Sequence, residues 1–276
     1  MKLKSLLLLA FCAVLSAANA DLPSSLAERD VKFTTKAWHG FPSIAFNLPG
    51  DGAKCTIVTP KKSAEGNPWI WRARFFGHQP ALDVGLLKAG WHVCYCDISG
   101  LFGASKAVKR WDEFHALATD LGLSSKPVLE GMSRGGLIIF NWASANPDKV
   151  RAIYGDNPVC DFRSWPGGKG DGKGSGGDWK RCLAVYGIDE DAAKTASQPR
   201  DAATLKPIAE KKIPVFLVLG EADKVVPVAE NADPLAAAYK ELGGPVKVWR
   251  KPGLGHHPHG LNPVEPLLEA ILKTAE

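Results

Sequence analysis

The chain has 276 residues, of which 45% are hydrophobic and 23% are charged. This composition is typical of a globular protein and excludes a disordered, collagen-like or coiled-coil chain. The formal net charge is +5 and no block of five or more basic residues occurs, which argues against a nucleic-acid partner.

The first twenty residues predict a secretory signal that is cleaved from the mature protein. Lys2 and Lys4 form a basic start, an apolar run extends from Leu6 to Leu15, and the small residues 18–20 end the segment. The apolar run is shorter than the roughly 20 residues of a transmembrane helix. We therefore expect a secreted or periplasmic protein that begins near Asp21 and has no membrane partner after cleavage. A buried or amphipathic first helix is the alternative.

After this segment, stretches with strand and helix periodicity alternate along the chain. The predicted strands are 43–48, 54–59, 69–75, 91–98, 127–131, 150–155, 213–220 and 246–250. The predicted helices are 80–89, 105–121, 135–145, 227–242 and 263–275. This succession predicts an α/β fold with a mostly parallel central sheet and helices on both faces. No linker divides the chain, so residues 21–276 are predicted to form a single domain.

A glycine-rich segment at residues 167–177 interrupts the alternation, with seven glycines among eleven residues. It is predicted to be a mobile surface loop, a lid beside a site, or both. Five cysteines remain after the predicted signal, and an odd number cannot pair completely within one chain. Cys160 and Cys182 flank the segment, so a disulfide between them is one hypothesis. Five buried thiols are the other.

The strongest functional signal is the segment Gly131–Gly135, which reads Gly-Met-Ser-Arg-Gly between a predicted strand and a predicted helix. A serine on such a sharp turn exposes its hydroxyl at the carboxyl end of the sheet. The amino end of the following helix favours a developing oxyanion. The segment therefore predicts that Ser133 is a nucleophile. A structural turn with a capping serine is the alternative.

An activated serine needs a base, and the base needs an acid to orient it. Asp223 follows the predicted strand 213–220, and three histidines follow the strand 246–250, namely His256, His257 and His259. A metal site at these histidines is disfavoured, because adjacent side chains diverge and no cysteine or carboxylate lies at ligand spacing. We therefore predict neither a metal nor a cofactor.

Three segments, each placed after its own strand, give the chain a resemblance to the α/β-hydrolase superfamily of serine esterases over nearly all of its mature length. They are Gly131–Gly135, Gly220–Asp223 and Gly253–His256. The resemblance implies that Ser133 is the nucleophile, Asp223 the acid and His256 the general base. Alternatives stay open for both partners of the serine. The base could instead be His257 or, less favoured, His259. The acid could instead be Asp161, Asp156 or Glu221.

The resemblance also implies an oxyanion hole formed by the N–H groups of Arg134 and Phe76, with Phe75 or Arg74 as alternatives to Phe76. Glucuronoyl esterases similarly carry an arginine directly after the nucleophilic serine. Arg134 is therefore predicted to bind substrate, the alternative being that it pairs with a carboxylate or points to solvent. Trp165, beside the glycine-rich segment, is predicted to line the substrate pocket.

Together these features predict a secreted serine carboxylic-ester hydrolase that works through an acyl-enzyme. Its expected substrate is an acylated carbohydrate or a related small ester, as for the acetyl and glucuronoyl esterases that it resembles. A serine peptidase of the prolyl oligopeptidase type is the alternative, although the chain has no room for the propeller that such enzymes usually carry. A non-catalytic binding protein on the same scaffold is a third hypothesis, disfavoured because all three triad candidates are present.

Overall fold

The computed structural model of the protein describes residues 21–275, so the predicted signal at residues 1–20 lies outside the described residues. In this part of the chain the strands are β1 (Phe33–Trp38), β2 (Phe41–Asn47), β3 (Lys54–Val58), β4 (Trp69–Arg72), β5 (His92–Cys96), β6 (Val128–Met132), β7 (Ala152–Asp156), β8 (Val215–Gly220) and β9 (Val246–Lys251). The α-helices are α1 (Leu22–Glu28), α2 (Ala81–Lys88), α3 (Ser105–Asp120), α4 (Gly135–Ala145), α5 (Gly176–Tyr186), α6 (Glu190–Thr195), α7 (Ala202–Glu210), α8 (Ala232–Glu241) and α9 (Glu265–Leu272). Among residues 21–275, no helix combines the length and apolar character needed to cross a membrane.

The strands form one sheet in the order β1-β2-β3-β5-β4-β6-β7-β8-β9. The pairs from β1 to β5 are antiparallel, and every later pair from β5 to β9 is parallel. All residues of β6, β7 and β8 are buried, as expected for parallel strands covered on both sides. The predicted α/β fold with a mostly parallel sheet is confirmed.

Alternation along the strands divides the apolar side chains between the two faces of the sheet. On β4, Trp69 and Trp71 belong to the core under α3, α4, α7 and α8, where Trp71 stacks on Trp111 with ring centroids 3.9 Å apart. Ile70, between them, belongs to the core under α2 and α9. Helices therefore cover both faces, and the carboxyl ends of the parallel strands emerge together at one edge.

Elements at the start of the described chain and around and after the glycine-rich segment were not predicted from the sequence. Strand β1 lies at the sheet edge and is mostly exposed, so its sequence lacks the apolar alternation that marks a half-buried strand. The predicted strand 69–75 ends earlier, at Arg72, and it cannot extend through Phe75, whose positive φ of 54° no regular strand allows. The three helices α5, α6 and α7 were not predicted at all.

The predicted disulfide between Cys160 and Cys182 is not formed in the structure, where all five cysteines of residues 21–275 are buried free thiols. Cys160 belongs to the large core on the α3–α4 face and donates its thiol hydrogen to the carbonyl of Pro158 at 3.4 Å. Cys182, on α5, packs in a separate cluster with Trp165 and Trp179. Burial raises the pKa of the Cys182 thiol to about 12, so it stays protonated near neutral pH.

Candidate active site

Ser133 lies on the sharp turn between β6 and α4, with a φ of 52°. This left-handed conformation is uncommon for a residue other than glycine and is found where the surrounding structure enforces it. Two residues before it, a Cβ on Gly131 would lie 2.7 Å from the carbonyl oxygen of Gly135, so only glycine allows so close an approach of strand and helix. The Ser133 side chain is consequently held at the carboxyl edge of the sheet.

A continuous line of hydrogen bonds joins Asp223, His256 and Ser133. Nδ1 of His256 lies 2.6 Å from Oδ2 of Asp223, and Nε2 lies 2.9 Å from Oγ of Ser133. The other carboxylate oxygen of Asp223 accepts the N–H groups of Val225 and Val226, each at 2.8 Å. An ionised Asp223 assigns the ring proton to Nδ1, which leaves Nε2 free to accept the serine proton.

The loops that carry Asp223 and His256 are packed directly against each other. A Cβ on Gly220 would lie 2.1 Å from the carbonyl oxygen of Gly255, so the end of β8 can touch the loop after β9 only because residue 220 is glycine. The side chain of Asn157 connects both loops: it accepts the N–H of Gly220 at 2.7 Å and donates to the carbonyl of His256 at 3.0 Å. Asn157 was not predicted, because no sequence motif marks a residue that acts only by bridging two loops.

The alternative acids have other partners. Asp161 is ion-paired with Arg163 at 2.8 Å and Arg200 at 2.7 Å, and Glu221 lies 3.8 Å from Arg250. The alternative base His257 is exposed, and within residues 21–275 its ring forms no hydrogen bond to Ser133. Among the sequence candidates, the geometry thus brings together the three residues that the resemblance implied.

A second carboxylate–histidine pair stands beside this line. Nδ1 of His259 lies 2.9 Å from Oδ1 of Asp156, and both side chains are almost completely buried. Tyr154 donates its hydroxyl to the other oxygen of Asp156 at 2.9 Å, and the backbone N–H of Gly260 donates to the same oxygen. Asp156 was considered only as an alternative acid for the triad, and its pairing with His259 was not foreseen.

A cleft of about 440 Å³ opens above Ser133. Its apolar wall is formed by aromatic and aliphatic side chains, namely Phe75, Phe76, Trp165 and Val225. Its polar wall is formed by Arg134 and the histidines His78, His256, His257 and His259. We call this space the active-site cleft. It combines apolar surface with a few polar groups, which is the usual character of small-molecule sites.

Arg134 is held between an aromatic ring and a carboxylate at the mouth of this cleft. Its guanidinium carbon lies 4.2 Å from the ring centroid of Trp165, and Nη2 lies 3.3 Å from Oδ2 of Asp178. The pairing with a carboxylate, which was the alternative for this residue, is therefore present, and substrate binding by Arg134 stays a prediction. Trp165 lines the cleft, as predicted.

The loop after β4, residues 73–79, faces Ser133 from the other side. Phe75 and Phe76 line the active-site cleft together with Ser133 and Arg134. The side chain of Arg74 turns away and bonds to Ser99 and Asp97. Which N–H groups complete an oxyanion hole stays a prediction, with Arg134 and Phe76 as the expected donors.

This loop is anchored by a buried charge cluster beneath it. The guanidinium of Arg72 donates to the carbonyl of His78 at 2.8 Å, pairs with Asp83, and lies 3.3 Å from Glu130. One guanidinium thus faces two carboxyl groups. Burial raises the pKa of Glu130 to about 8, with Asp83 adding to the shift and Arg72 opposing it. Glu130 therefore carries a proton at neutral pH in the folded protein.

We expect Glu130→Gln to remove a loss of stability that the unchanged protein undergoes as pH rises from about 6 to about 8. A carboxyl group whose pKa is higher in the folded than in the unfolded chain stabilises the fold while protonated, and this contribution is lost as pH rises through the folded value, about 8. Between pH 6 and pH 8 the unchanged protein should lose about 2 kcal/mol relative to the glutamine variant.

Urea unfolding at both pH values measures this difference. Glu210→Gln, which changes an exposed carboxylate 3.9 Å from Lys206, is the matched control and should show no such divergence. Parallel pH profiles for the unchanged protein and Glu130→Gln would contradict a buried protonated Glu130.

Hydrogen bonds to neighbouring parts of the chain hold the glycine-rich segment in place. Backbone N–H groups of Gly168, Lys169 and Ser175 donate to carbonyls of residues 163–166, and Asp171 donates its N–H to the carboxylate of Glu230. Helix α5 already begins at Gly176, so the loop proper is shorter than predicted. A lid role for this segment stays a prediction.

The three histidines after β9 do not diverge as expected from their spacing. His256, His257 and His259 each offer a ring nitrogen, and these nitrogens all lie within 4.8 Å of one another. Partial burial, followed by the neighbouring imidazoles, lowers the pKa of His257 below its ordinary value. The premise against a metal at this position, that adjacent side chains point apart, is therefore wrong.

Comparison with protein-family models gave no match, and neither did comparison with curated protein sequences. Solved structures do match in three dimensions. A puromycin-hydrolysing peptidase from Mycobacterium tuberculosis has a TM-score of 0.60 at 15% identity over 87% of this chain, which spans only 38% of that protein.

Two further solved structures match over nearly their whole length. Est1E from Butyrivibrio proteoclasticus has a TM-score of 0.57 at 18% identity, over 88% of this chain and 98% of that one. An S-formylglutathione hydrolase from Agrobacterium tumefaciens has a TM-score of 0.59 at 13% identity, over 87% and 96%. Identities this low establish a shared fold and nothing more specific.

Proposed function

With the α/β-hydrolase fold as the premise, we propose that this chain is a serine hydrolase that cleaves carboxylic esters. The observation that carries the proposal is the line of hydrogen bonds from Asp223 through His256 to Ser133. Such a line activates a hydroxyl, because the imidazole accepts its proton while the carboxylate stabilises the imidazolium that results.

The reaction follows from this arrangement in two steps. Oγ of Ser133 attacks the ester carbonyl as its proton moves to Nε2 of His256, and the tetrahedral oxyanion is stabilised by backbone N–H groups, for which Arg134 and Phe76 are the candidates. The protonated His256 then gives its proton to the departing alcohol, which leaves an acyl-enzyme. Water repeats the sequence and releases the acid, with the proton returned to Ser133.

We propose an acylated carbohydrate or a related small ester as substrate. The apolar wall of the active-site cleft suits an acyl group, and Trp165 offers a flat face on which a sugar or an aromatic ring can stack. Arg134 adds a positive charge at the mouth. Est1E, which matches in fold, has also been solved with ferulic acid bound. These points support an ester substrate that carries a ring on one side of the scissile bond.

A panel of substrates tests this proposal. The purified chain is assayed on aryl esters of graded acyl length, on acetylated and feruloylated oligosaccharides, and on an aminoacyl anilide. We expect turnover of esters and little cleavage of the anilide. Faster cleavage of the anilide than of every ester would favour the peptidase alternative. No turnover of any compound would favour the non-catalytic one.

We also propose that the protein is secreted or periplasmic, which rests on the basic, apolar and small-residue parts of residues 1–20. Expression in a bacterial host with an export pathway should yield a chain that begins at Asp21. Intact mass spectrometry measures the start of the chain, and a full-length product in the exported fraction would contradict cleavage.

A further inference from the structure

Three imidazoles meet at the floor of the active-site cleft, and their arrangement is close to that of a metal site. The ring nitrogens offered by His256, His257 and His259 lie within 4.8 Å of one another. Ligand nitrogens of one tetrahedral zinc ion are about 3.3 Å apart, given zinc–nitrogen distances near 2.0 Å. The widest pair therefore needs to close by no more than about 1.5 Å, a shift that side-chain rotation can supply.

Two of these imidazoles are already oriented as metal ligands usually are. A metal-binding histidine commonly donates its second ring N–H to a carboxylate, which fixes the ring and makes the free nitrogen a better ligand. Nδ1 of His259 faces Asp156 at 2.9 Å, and Nδ1 of His256 faces Asp223 at 2.6 Å. Nε2 of His259 has no hydrogen-bond partner within residues 21–275, so its lone pair is available in the cleft.

The charge balance favours a divalent cation. Asp156 and Asp223 are both buried, and each stands directly behind one of the proposed ligands. An ion between the imidazoles would be attracted by both carboxylates without displacing either. Nitrogen ligands with no oxygen among them suit zinc, copper or nickel rather than calcium or magnesium.

We propose that His256, His257 and His259 form a binding site for a zinc-class divalent ion, and that the bound ion inhibits the enzyme. The inhibition rests on the proposed function, because the ion would occupy Nε2 of His256, the nitrogen that otherwise accepts the proton of Ser133. Binding itself does not depend on catalysis. Zinc and the serine hydroxyl compete for one nitrogen, so the concentration of free zinc would control ester hydrolysis.

Zinc titration by calorimetry tests the site on protein prepared without a polyhistidine tag. We expect one ion per chain. Since its Oγ no longer competes for His256, the Ser133→Ala variant should bind at least as tightly as the unchanged protein. His257→Gln and His259→Gln should each weaken binding at least tenfold, and Asp156→Asn by about 10- to 100-fold. His39→Asn, which removes an exposed imidazole outside the cleft, is the matched control and should bind normally.

Ester hydrolysis with added zinc gives the second measurement. Zinc should abolish turnover, a chelator should restore it, and His257→Gln should raise the half-inhibiting zinc concentration at least tenfold. The proposal is overturned if no ion binds, if His257→Gln and His259→Gln both bind as tightly as the unchanged protein, or if zinc raises turnover. Zinc binding with the expected dependence on His257, in a protein that hydrolyses no ester, would uphold the site and refute the proposed function instead.

Discussion

Replacing Ser133 by alanine should lower kcat for ester hydrolysis by a factor on the order of 10⁴ to 10⁶. In the proposed mechanism only the hydroxyl of this side chain reacts, and its loss leaves His256 with no proton to accept at 2.9 Å. Alanine keeps the Cβ, so the strained φ of 52° and the packing of the turn are retained and the protein should fold normally. Steady-state kinetics on an aryl acetate measures the effect.

Ser133→Gly distinguishes an effect on catalysis from an effect on stability at the same position. Glycine also lacks the hydroxyl, so this variant should be as inactive as the alanine variant. It accepts a positive φ without steric strain, so its free energy of unfolding should exceed that of the alanine variant by about 1 kcal/mol. Turnover at the wild-type rate in either variant would show that Ser133 is not the nucleophile.

Replacing His256 by alanine should likewise remove several orders of magnitude of kcat/KM, whereas His257→Ala should stay within about tenfold of the unchanged protein. Only His256 lies within reach of Ser133 on one ring nitrogen and of Asp223 on the other. Steady-state kinetics on an aryl acetate, run on the unchanged protein, His256→Ala and His257→Ala, measures both effects.

His259→Ala provides a contrast within the same loop. Its loss leaves Asp156 buried without its imidazole partner, so the principal effect should be on stability, with activity again within about tenfold. If His257→Ala were inactive and His256→Ala active, the general base would be His257 and not His256. Full activity in all three variants would refute the proposed mechanism.

The central part of the fold follows from the sequence because its elements have strong local patterns. Helix α4 was predicted with its observed bounds, since an apolar run begins directly after the glycines of the turn and ends before a proline. The edge strand β1 was missed because exposure on both faces removes the apolar alternation. Helix α7 was missed because it contains Pro207, a residue that normally indicates a helix end.

The site could be predicted only in part, for a similar reason. Ser133, Asp223 and His256 each follow a recognisable strand, and the topology of the sheet brings the ends of those strands together. Asn157 and the pair Asp156–His259 have no such signature. Their roles depend on contacts between loops about 60 to 100 residues apart in the chain, which no local pattern records.

The separation of the proposed catalytic residues along the chain has a consequence for the stage of folding at which activity can appear. Ser133 and His256 are 123 positions apart, and the histidine comes last of the three. A chain that stops before residue 256 contains the serine turn without the imidazole beside it. The proposed triad is therefore complete only after β9 and the loop that follows it have joined the sheet, which places any activity at the last stage of folding.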